Sequence, residues 1–361
     1  MPTAAPSLIT PTANPLLERA LRDKLQRRSE TVGSLGELEP LAVRVGLIQN
    51  TLKPRFRDPQ LVLFASDHGL AVESVRTPPG HGTADRTRQA LTGQLPVAVF
   101  AHIQGLALSV VDAGVAEQLE PHERLLMRKI AHGTRSARVG AAMSVEQAHA
   151  AIRAGMEITE SLPGNVLACA GIGVGGHESA ALILSRLTGA PVRELLSSGP
   201  TMDPQRLTHM LVIAQGAQGR HRDVTDAVEV LAAFGGFEIA MMAGAMLVAA
   251  GRRHLVMVDG LAACAALMVA ARIAAPVTDY CVFCRSHGHQ GLDYALNLFH
   301  TSALLELGMD STDGTGAALA WPLLRAAAAL LTEVAEGEDA GPSRPGDIPA
   351  PPGSNPTASP S

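Results

Sequence analysis

Five short apolar runs, each closing on glycine or polar residues, set the strongest limit on what this chain can fold into. They are LVLFASDHG (61–69), LALSVVDAG (106–114), NVLACAGIGVGG (165–176), RHLVMVDG (253–260) and YCVFCRSHG (280–288). Each is continuous in hydrophobicity rather than alternating, which predicts strands buried on both faces. Helical patterns follow most of them, such as SVEQAHAAIRAGMEIT (144–159) and the apolar run after Gly236. Strands alternating with helices build a parallel α/β sheet flanked by helices. Such sheets bind ligands outside the carboxyl ends of their strands. Those ends carry Asp67-His68-Gly69, Asp112-Ala113-Gly114, the glycines of 171–176, Asp259-Gly260 and Ser286-His287. The pattern alone therefore points to an enzyme of small molecules.

A length of 361 residues suits one α/β body with a smaller appendage. Aromatic residues make up only 3%, so the core must be built mainly from Ala, Leu and Val. A net charge of −5 argues against a nucleic-acid partner, which calls for a basic face. The first fifteen residues lack a basic stretch leading into an apolar one, so no signal peptide is expected, and four cysteines in apolar segments fit reduced thiols and an expected cytoplasmic location. The apolar stretch 239–250 is shorter than the roughly 20 residues a bilayer requires. It is expected to be a core helix, with no membrane partner. Cys281 and Cys284 form a lone C-x-x-C. Without a second pair they read as small residues of a buried strand, although His287 and His289 lie close by. Residues 1–14 are expected to be flexible, 15–335 to form the folded body, and the Pro/Gly/Ser-rich stretch 336–361 to be disordered.

Three glycine turns open predicted helices. GIGVGG (171–176) satisfies G-x-G-x-x-G through Gly171, Gly173 and Gly176. A dinucleotide site also needs a second strand ending in an acidic residue about 20 residues on. The stretch GAPVRELLSSGPTMD makes a poor strand, so a nicotinamide-dependent oxidoreductase is disfavoured. What survives is a turn whose backbone amides could face an anion, or one that simply packs a helix against a strand. Gly235-Gly236 opens the second helix and Gly314-Thr315-Gly316 the third. Three such openings suggest a phosphate-bearing substrate. No phosphate loop of nucleotide triphosphatases and no serine nucleophile elbow is present. Asp313, at the mouth of the third turn, reads equally as a catalytic carboxylate or as a helix cap.

In order along the chain, FASDHGLAVESV (64–75), KIAHGTRSARVGAAMSVEQA (129–148), AGIGVGGHESAALI (170–183), GGFEIAMMAGAML (235–247), VDGLAACAALM (258–268) and LELGMDSTDGTGAALAWPLLRAA (305–327) resemble the nicotinate-nucleotide–dimethylbenzimidazole phosphoribosyltransferase family. The resemblance spans about 35–333. It implies a Rossmann-like parallel sheet with a small helical domain from both chain ends, and a homodimer. It also implies transfer of phosphoribosyl from nicotinate mononucleotide to a benzimidazole nitrogen, without metal or cofactor. Asp313 stands at the family's glutamate base, one methylene shorter. Gly171, Gly173, Gly235, Gly236, Ser286 and Gly314 stand at positions around the phosphoribosyl group. The chain also departs from the family. Cys169 replaces a glutamate, Val174-Gly175-Gly176 replaces Asn-Thr-Thr, Met210 replaces a lysine, and RTPPGHG (76–82) replaces the acceptor loop. These changes leave a different acceptor, or binding without turnover, as alternative expectations. His177, Glu178, His81 and Arg76 are candidates to compensate.

Overall fold

The structure, a computed structural model, describes residues 9–71, 78–197, 203–334 and Glu336. Arg76 and the tail from 337 lie outside the described residues.

Six parallel strands form one sheet. They are β1 (Gln60–Ser66), β2 (Ala107–Gly114), β3 (Leu125–Met127), β4 (Val166–Ile172), β5 (Leu255–Asp259) and β6 (Cys281–Cys284). Five are the strands expected. The sixth, β3, is a short edge strand of three residues, too short to leave a periodic signal. Every residue of β1, β5 and β6 is buried, as continuous apolar runs require. Cys281 and Cys284 are three apart on β6, so their side chains point to opposite faces of the sheet. Burial raises both thiols, that of Cys281 to about 12.

The strand order is β3-β2-β1-β4-β5-β6. The chain starts in the middle, moves outward to β3, then returns to β4 on the other side of β1. Gln60 pairs with Ala107 on one side and with Leu167 on the other. The order reverses between β1 and β4, and a crevice opens beyond their carboxyl ends.

Thirteen helices surround the sheet among the described residues. The first four are α1 (Pro15–Val32), α2 (Leu38–Ile48), α3 (Thr83–Leu91) and α4 (Pro96–Gln104). Next come α5 (Val145–Ser161), α6 (Gly176–Thr188), α7 (Val192–Leu196), α8 (Pro204–Arg220) and α9 (Ala227–Phe234). The last four are α10 (Phe237–Gly251), α11 (Leu261–Ile273), α12 (Gln290–Leu298) and α13 (Thr315–Thr332). The stretch after α6 becomes α7, not the acid-ended strand a dinucleotide site demands.

Helix α10 is the central core helix, buried along its length except at Val248 and Gly251. It packs on α5, α11 and the sheet. The α5 crossing is backbone to backbone. A Cβ on Gly155 would lie 1.9 Å from the Met241 carbonyl oxygen, and one on Gly244 2.0 Å from that of Ile152. Each fully buried Ile, Leu or Met on α10 contributes about 1.5–3 kcal/mol. Helix α13 is long and apolar enough to cross a membrane, but it packs on α2, α4, β5 and β6. Helices α1 and α2 meet it, so both ends of the chain share one helical layer. The expected flexibility of 1–14 does not extend to its described part. Ile9 is buried, the Tyr280 hydroxyl donates to the Thr10 carbonyl (2.7 Å), and the Thr12 amide donates to Asp279 (3.0 Å).

Candidate active site

A cavity of about 560 Å³ opens beyond the carboxyl ends of the strands. That volume suits a small organic ligand. The loops after β4 and β6 and the starts of α3, α6, α10, α11 and α13 line it.

Asp313 lines this cavity, and the reason lies 54 positions earlier in the chain. Gly314 is the N-cap of helix α13, and its φ of +93° turns the chain into the helix. Asp313 makes no cap. Asp259, at the end of β5, does that instead. Its Oδ2 accepts from the amides of Gly314 (2.9 Å) and Ala317 (2.9 Å) and from the Ser286 hydroxyl (2.7 Å). Ser286 Oγ in turn accepts from the Gly316 amide at 2.8 Å. The open amides of α13 are thereby satisfied from two strand ends, and Asp313 is left facing the cavity. Gly260 gives it room. With φ at +95°, a Cβ there would sit 2.1 Å from Asp313 Oδ2.

His287 completes this end of the cavity. Its Nε2 lies 2.9 Å from Asp313 Oδ1 and its Nδ1 2.9 Å from Asp310 Oδ1. The Asp313 contact is an ion pair without the in-line geometry of a hydrogen bond, and Oδ1 has no other partner. Burial disfavours the imidazolium, but Asp313 and Asp310 outweigh it and raise His287 to about 9. Burial, then the proximity of Asp313, raises the Asp259 carboxyl.

Two further histidines take the opposite state. His289 Nε2 and His177 Nε2 are 3.1 Å apart, with ring centroids at 4.2 Å. The Leu292 amide donates to His289 Nδ1 (3.1 Å). This places the His289 proton on Nε2, from which it donates to His177 Nε2. The remaining His177 N–H serves the Leu196 carbonyl. The chain of bonds is complete with both rings neutral. Burial first, then neighbouring positive groups, lowers His177 to about 4 and His289 to about 3.

Behind the glycine loops lies a buried trio. His68 Nε2 is 2.7 Å from Glu238 Oε1, and the Ser179 hydroxyl is 2.8 Å from His68 Nδ1. Burial opposes the imidazolium here too, but Glu238 outweighs it and His68 is raised. Asp67 is structural. It accepts from the Thr83 hydroxyl (2.6 Å) and the Ala116 amide (2.7 Å). Thr83 also accepts from the Val174 amide (3.0 Å), tying α3 to the glycine loop.

The expected contact residues divide. Asp313, Gly171 and Gly173 line the cavity. Ser286, Gly235, Gly236 and Gly314 are buried behind its wall. Ser286 is engaged with Asp259 and the Gly316 amide and so helps to seat α13. A Cβ on Gly235 would meet the Leu231 carbonyl oxygen at 2.6 Å, and one on Gly236 would meet the Glu238 carboxylate at 2.2 Å. At both positions a side chain would collide with protein neighbours.

Of the divergent positions, Val174 and Met210 line the cavity, whereas Cys169 is fully buried in β4. His177, Glu178 and His81, expected to compensate, all line it. Arg86 of α3 and Arg206 of α8 supply its guanidinium groups. Sequence reasoning missed both arginines, the His287–Asp313 pair and the capping role of Asp259. Only Asp259, at a strand end before glycine, carried a usable signal. Among the described residues no three His, Cys, Asp or Glu side chains converge as metal ligands.

Comparison with known proteins agrees with this architecture. A family model described as phosphoribosyltransferase matches residues 10–341. The nicotinate-nucleotide–dimethylbenzimidazole phosphoribosyltransferase of Cupriavidus taiwanensis is 41% identical over 330 residues, covering 91% of this chain and 94% of that protein. The enzyme of that name from Janthinobacterium is 38% identical over 335 residues, covering 92% and 97%. The crystal structure of the Thermus thermophilus enzyme of that name superposes with a TM-score of 0.84 at 30% identity, covering 92% of this chain and all of that one. With its parallel sheet, its cavity at the switch point and these relatives along nearly its whole length, this chain belongs to the nicotinate-nucleotide–dimethylbenzimidazole phosphoribosyltransferase family.

Proposed function

We propose that this protein transfers phosphoribosyl from nicotinate mononucleotide to dimethylbenzimidazole, releasing nicotinate and α-ribazole phosphate, with Asp313 as general base. The observation that carries the assignment of the base is the cavity-facing Asp313 carboxylate, relieved of capping duty by Asp259 and paired with His287. In the reaction an acceptor ring nitrogen attacks the anomeric carbon with its lone pair. The bond from that carbon to the nicotinate nitrogen breaks, and its electrons leave with nicotinate. The acceptor's N–H proton passes to a carboxylate within hydrogen-bond reach, which here is Asp313. His287 Nε2, 2.9 Å from Asp313 Oδ1, holds the carboxylate in place. The uncharged side of the cavity, with Met210, Leu261, Ala262 and Leu292, suits an aromatic acceptor, and Arg86 and Arg206 suit the anionic nucleotide. A homodimer in the cytoplasm belongs to the same proposal, and light scattering tests the dimer.

The direct test incubates the protein with nicotinate mononucleotide and dimethylbenzimidazole and follows nicotinate and riboside phosphate by mass spectrometry. Product is expected, and Asp313→Ala is expected to lower its rate about 100-fold or more. Product with another azole but none with dimethylbenzimidazole would overturn the acceptor. An undiminished Asp313→Ala rate would overturn the base.

A further inference from the structure

The two polar residues after β1 serve different neighbours. His68 turns to α6 and α10, where it meets Ser179 and Glu238. Asp67 turns to α3 and the loop after β2. Its Oδ1 accepts from the Thr83 hydroxyl (2.6 Å) and its Oδ2 from the Ala116 amide (2.7 Å). Thr83 is the first residue of α3, only 2% exposed, and it lines the cavity. Its oxygen also accepts from the Val174 amide at 3.0 Å. One hydroxyl thus joins α3 to the end of β1 and to the glycine turn after β4. The N-cap of α3, Gly82, has no side chain to help it. On its other side the glycine turn already rests against β1. A Cβ on Gly173 would lie 2.3 Å from the Ser66 carbonyl oxygen, and one on Gly175 2.9 Å from the His68 Cβ. The turn cannot move closer to β1, so the Thr83 bond sets its distance from α3.

This bridge matters for an anionic ligand. The Val174 amide is spent on Thr83 and is not offered to a phosphate, which therefore needs a donor from elsewhere. Arg86 stands one turn along α3 from Thr83, on the same face. It is half-buried and lines the cavity, and its guanidinium has no hydrogen bond or ion pair among the described residues. No partner of its own fixes it. Its place follows from that of α3, and Thr83 ties that helix to the crevice. Arg206, the other arginine of the cavity, is exposed on α8 and has no such tie. Resting on the proposed function for the identity of the nucleotide, we propose that Thr83 is a positioning residue: it bolts α3 to Asp67 and the glycine turn, and so holds the Arg86 guanidinium where it meets the phosphate of nicotinate mononucleotide.

The test is binding without acceptor, so it does not depend on turnover. Calorimetry compares nicotinate mononucleotide with nicotinate riboside, which lacks the phosphate. Arg86→Gln is expected to weaken the mononucleotide about tenfold or more, the usual effect of removing a hydrogen bond between charged groups. Thr83→Val, equal in shape but without the hydroxyl, is expected to weaken it about tenfold while riboside affinity stays within about twofold. Thr83→Ser keeps the hydroxyl and is expected to restore affinity to within about twofold. The double variant Thr83→Val/Arg86→Gln is expected to bind no more than about twofold more weakly than Arg86→Gln, because both changes remove one contact. Full affinity in Arg86→Gln overturns the inference even if Thr83→Val does not fold. Equal losses for mononucleotide and riboside in Thr83→Val also overturn it, since they mean a general loosening of the cavity. So do additive losses in the double variant. If the wild-type protein does not bind the mononucleotide, both the inference and the proposed function fall. If binding behaves as expected but no acceptor is turned over, only the transfer reaction falls.

Discussion

His287 and His289 are separated by one residue and face the same cavity, yet they hold opposite charge states. His287 lies between Asp310 and Asp313 and is raised to about 9. His289 caps α12 and shares a neutral bond chain with His177 at the start of α6. A helix N-terminus disfavours a further positive charge, as does the neighbouring His287 imidazolium. One side of the cavity is thus built around a proton and an ion pair, and the other stays uncharged across the physiological range. Residue type does not decide this division. It comes from which backbone groups and carboxylates each ring meets. In the proposed transfer the two halves would complement each other, one taking a proton and the other accepting an uncharged aromatic ring.

The largest expected effect comes from displacing the carboxylate without removing it. Gly260→Ala puts a methyl group 2.1 Å from Asp313 Oδ2 at a φ of +95°. It is expected to cost about 1–3 kcal/mol of stability through backbone strain. It should also abolish transfer nearly as fully as Asp313→Ala. Denaturant unfolding and single-turnover rates check the two effects separately, and a fully active Gly260→Ala protein would sever the link between this glycine and the base.

A smaller effect follows from the ion pair. His287 is raised from 6.5 in the unfolded chain to about 9 in the folded one. Its contribution to stability is therefore complete below 6.5 and lost as pH rises through about 9. His287→Gln should flatten the alkaline loss of stability seen in wild-type protein and lower the transfer rate about tenfold. An alkaline limb identical in both proteins would show that the pair does not form in solution.

The neutral side is expected to respond at the other extreme and least at working pH. His177 and His289 are lowered from 6.5 to about 4 and about 3. The unfolded chain binds their protons first, so their contribution is present above 6.5 and lost as pH falls through about 4. Replacing both with Gln should remove part of the acid sensitivity while leaving stability near pH 8 little changed. NMR titration of the two rings measures the shifts directly, and a pKa near 6.5 for either would break the comparison.

The sheet was legible because buried parallel strands need continuous apolar runs, and LVLFAS, VVDAG and LVMVD carry them. Strand β3 was not, since three edge residues leave no period. Helix α5 was legible from its helical pattern over 144–159, and the structure adds a capping box in which Ser144 and Gln147 bond to each other's backbone. The site was half legible. Asp313 and the 171–176 turn stood out by type and position. Whether Asp313 capped α13 or faced a ligand was undecidable, because the competing cap, Asp259, lies on another strand. Ser286 and the Gly235-Gly236 pair were legible as important, but the protein groups they meet were not, because those lie far away in the sequence.

By itself the sequence determined the α/β class, the strand ends that gather at one edge and the carboxylate worth testing, because periodicity and turn chemistry are local properties. Tertiary structure alone decided which carboxylate caps and which faces the cavity, which histidine carries a proton and which glycines line the cavity. Those outcomes depend on hydrogen bonds and charges contributed by residues 23 to 170 positions apart, from His287 with Asp310 to His68 with Glu238. No local pattern encodes such pairings, because their energies exist only once the sheet has brought its strand ends together.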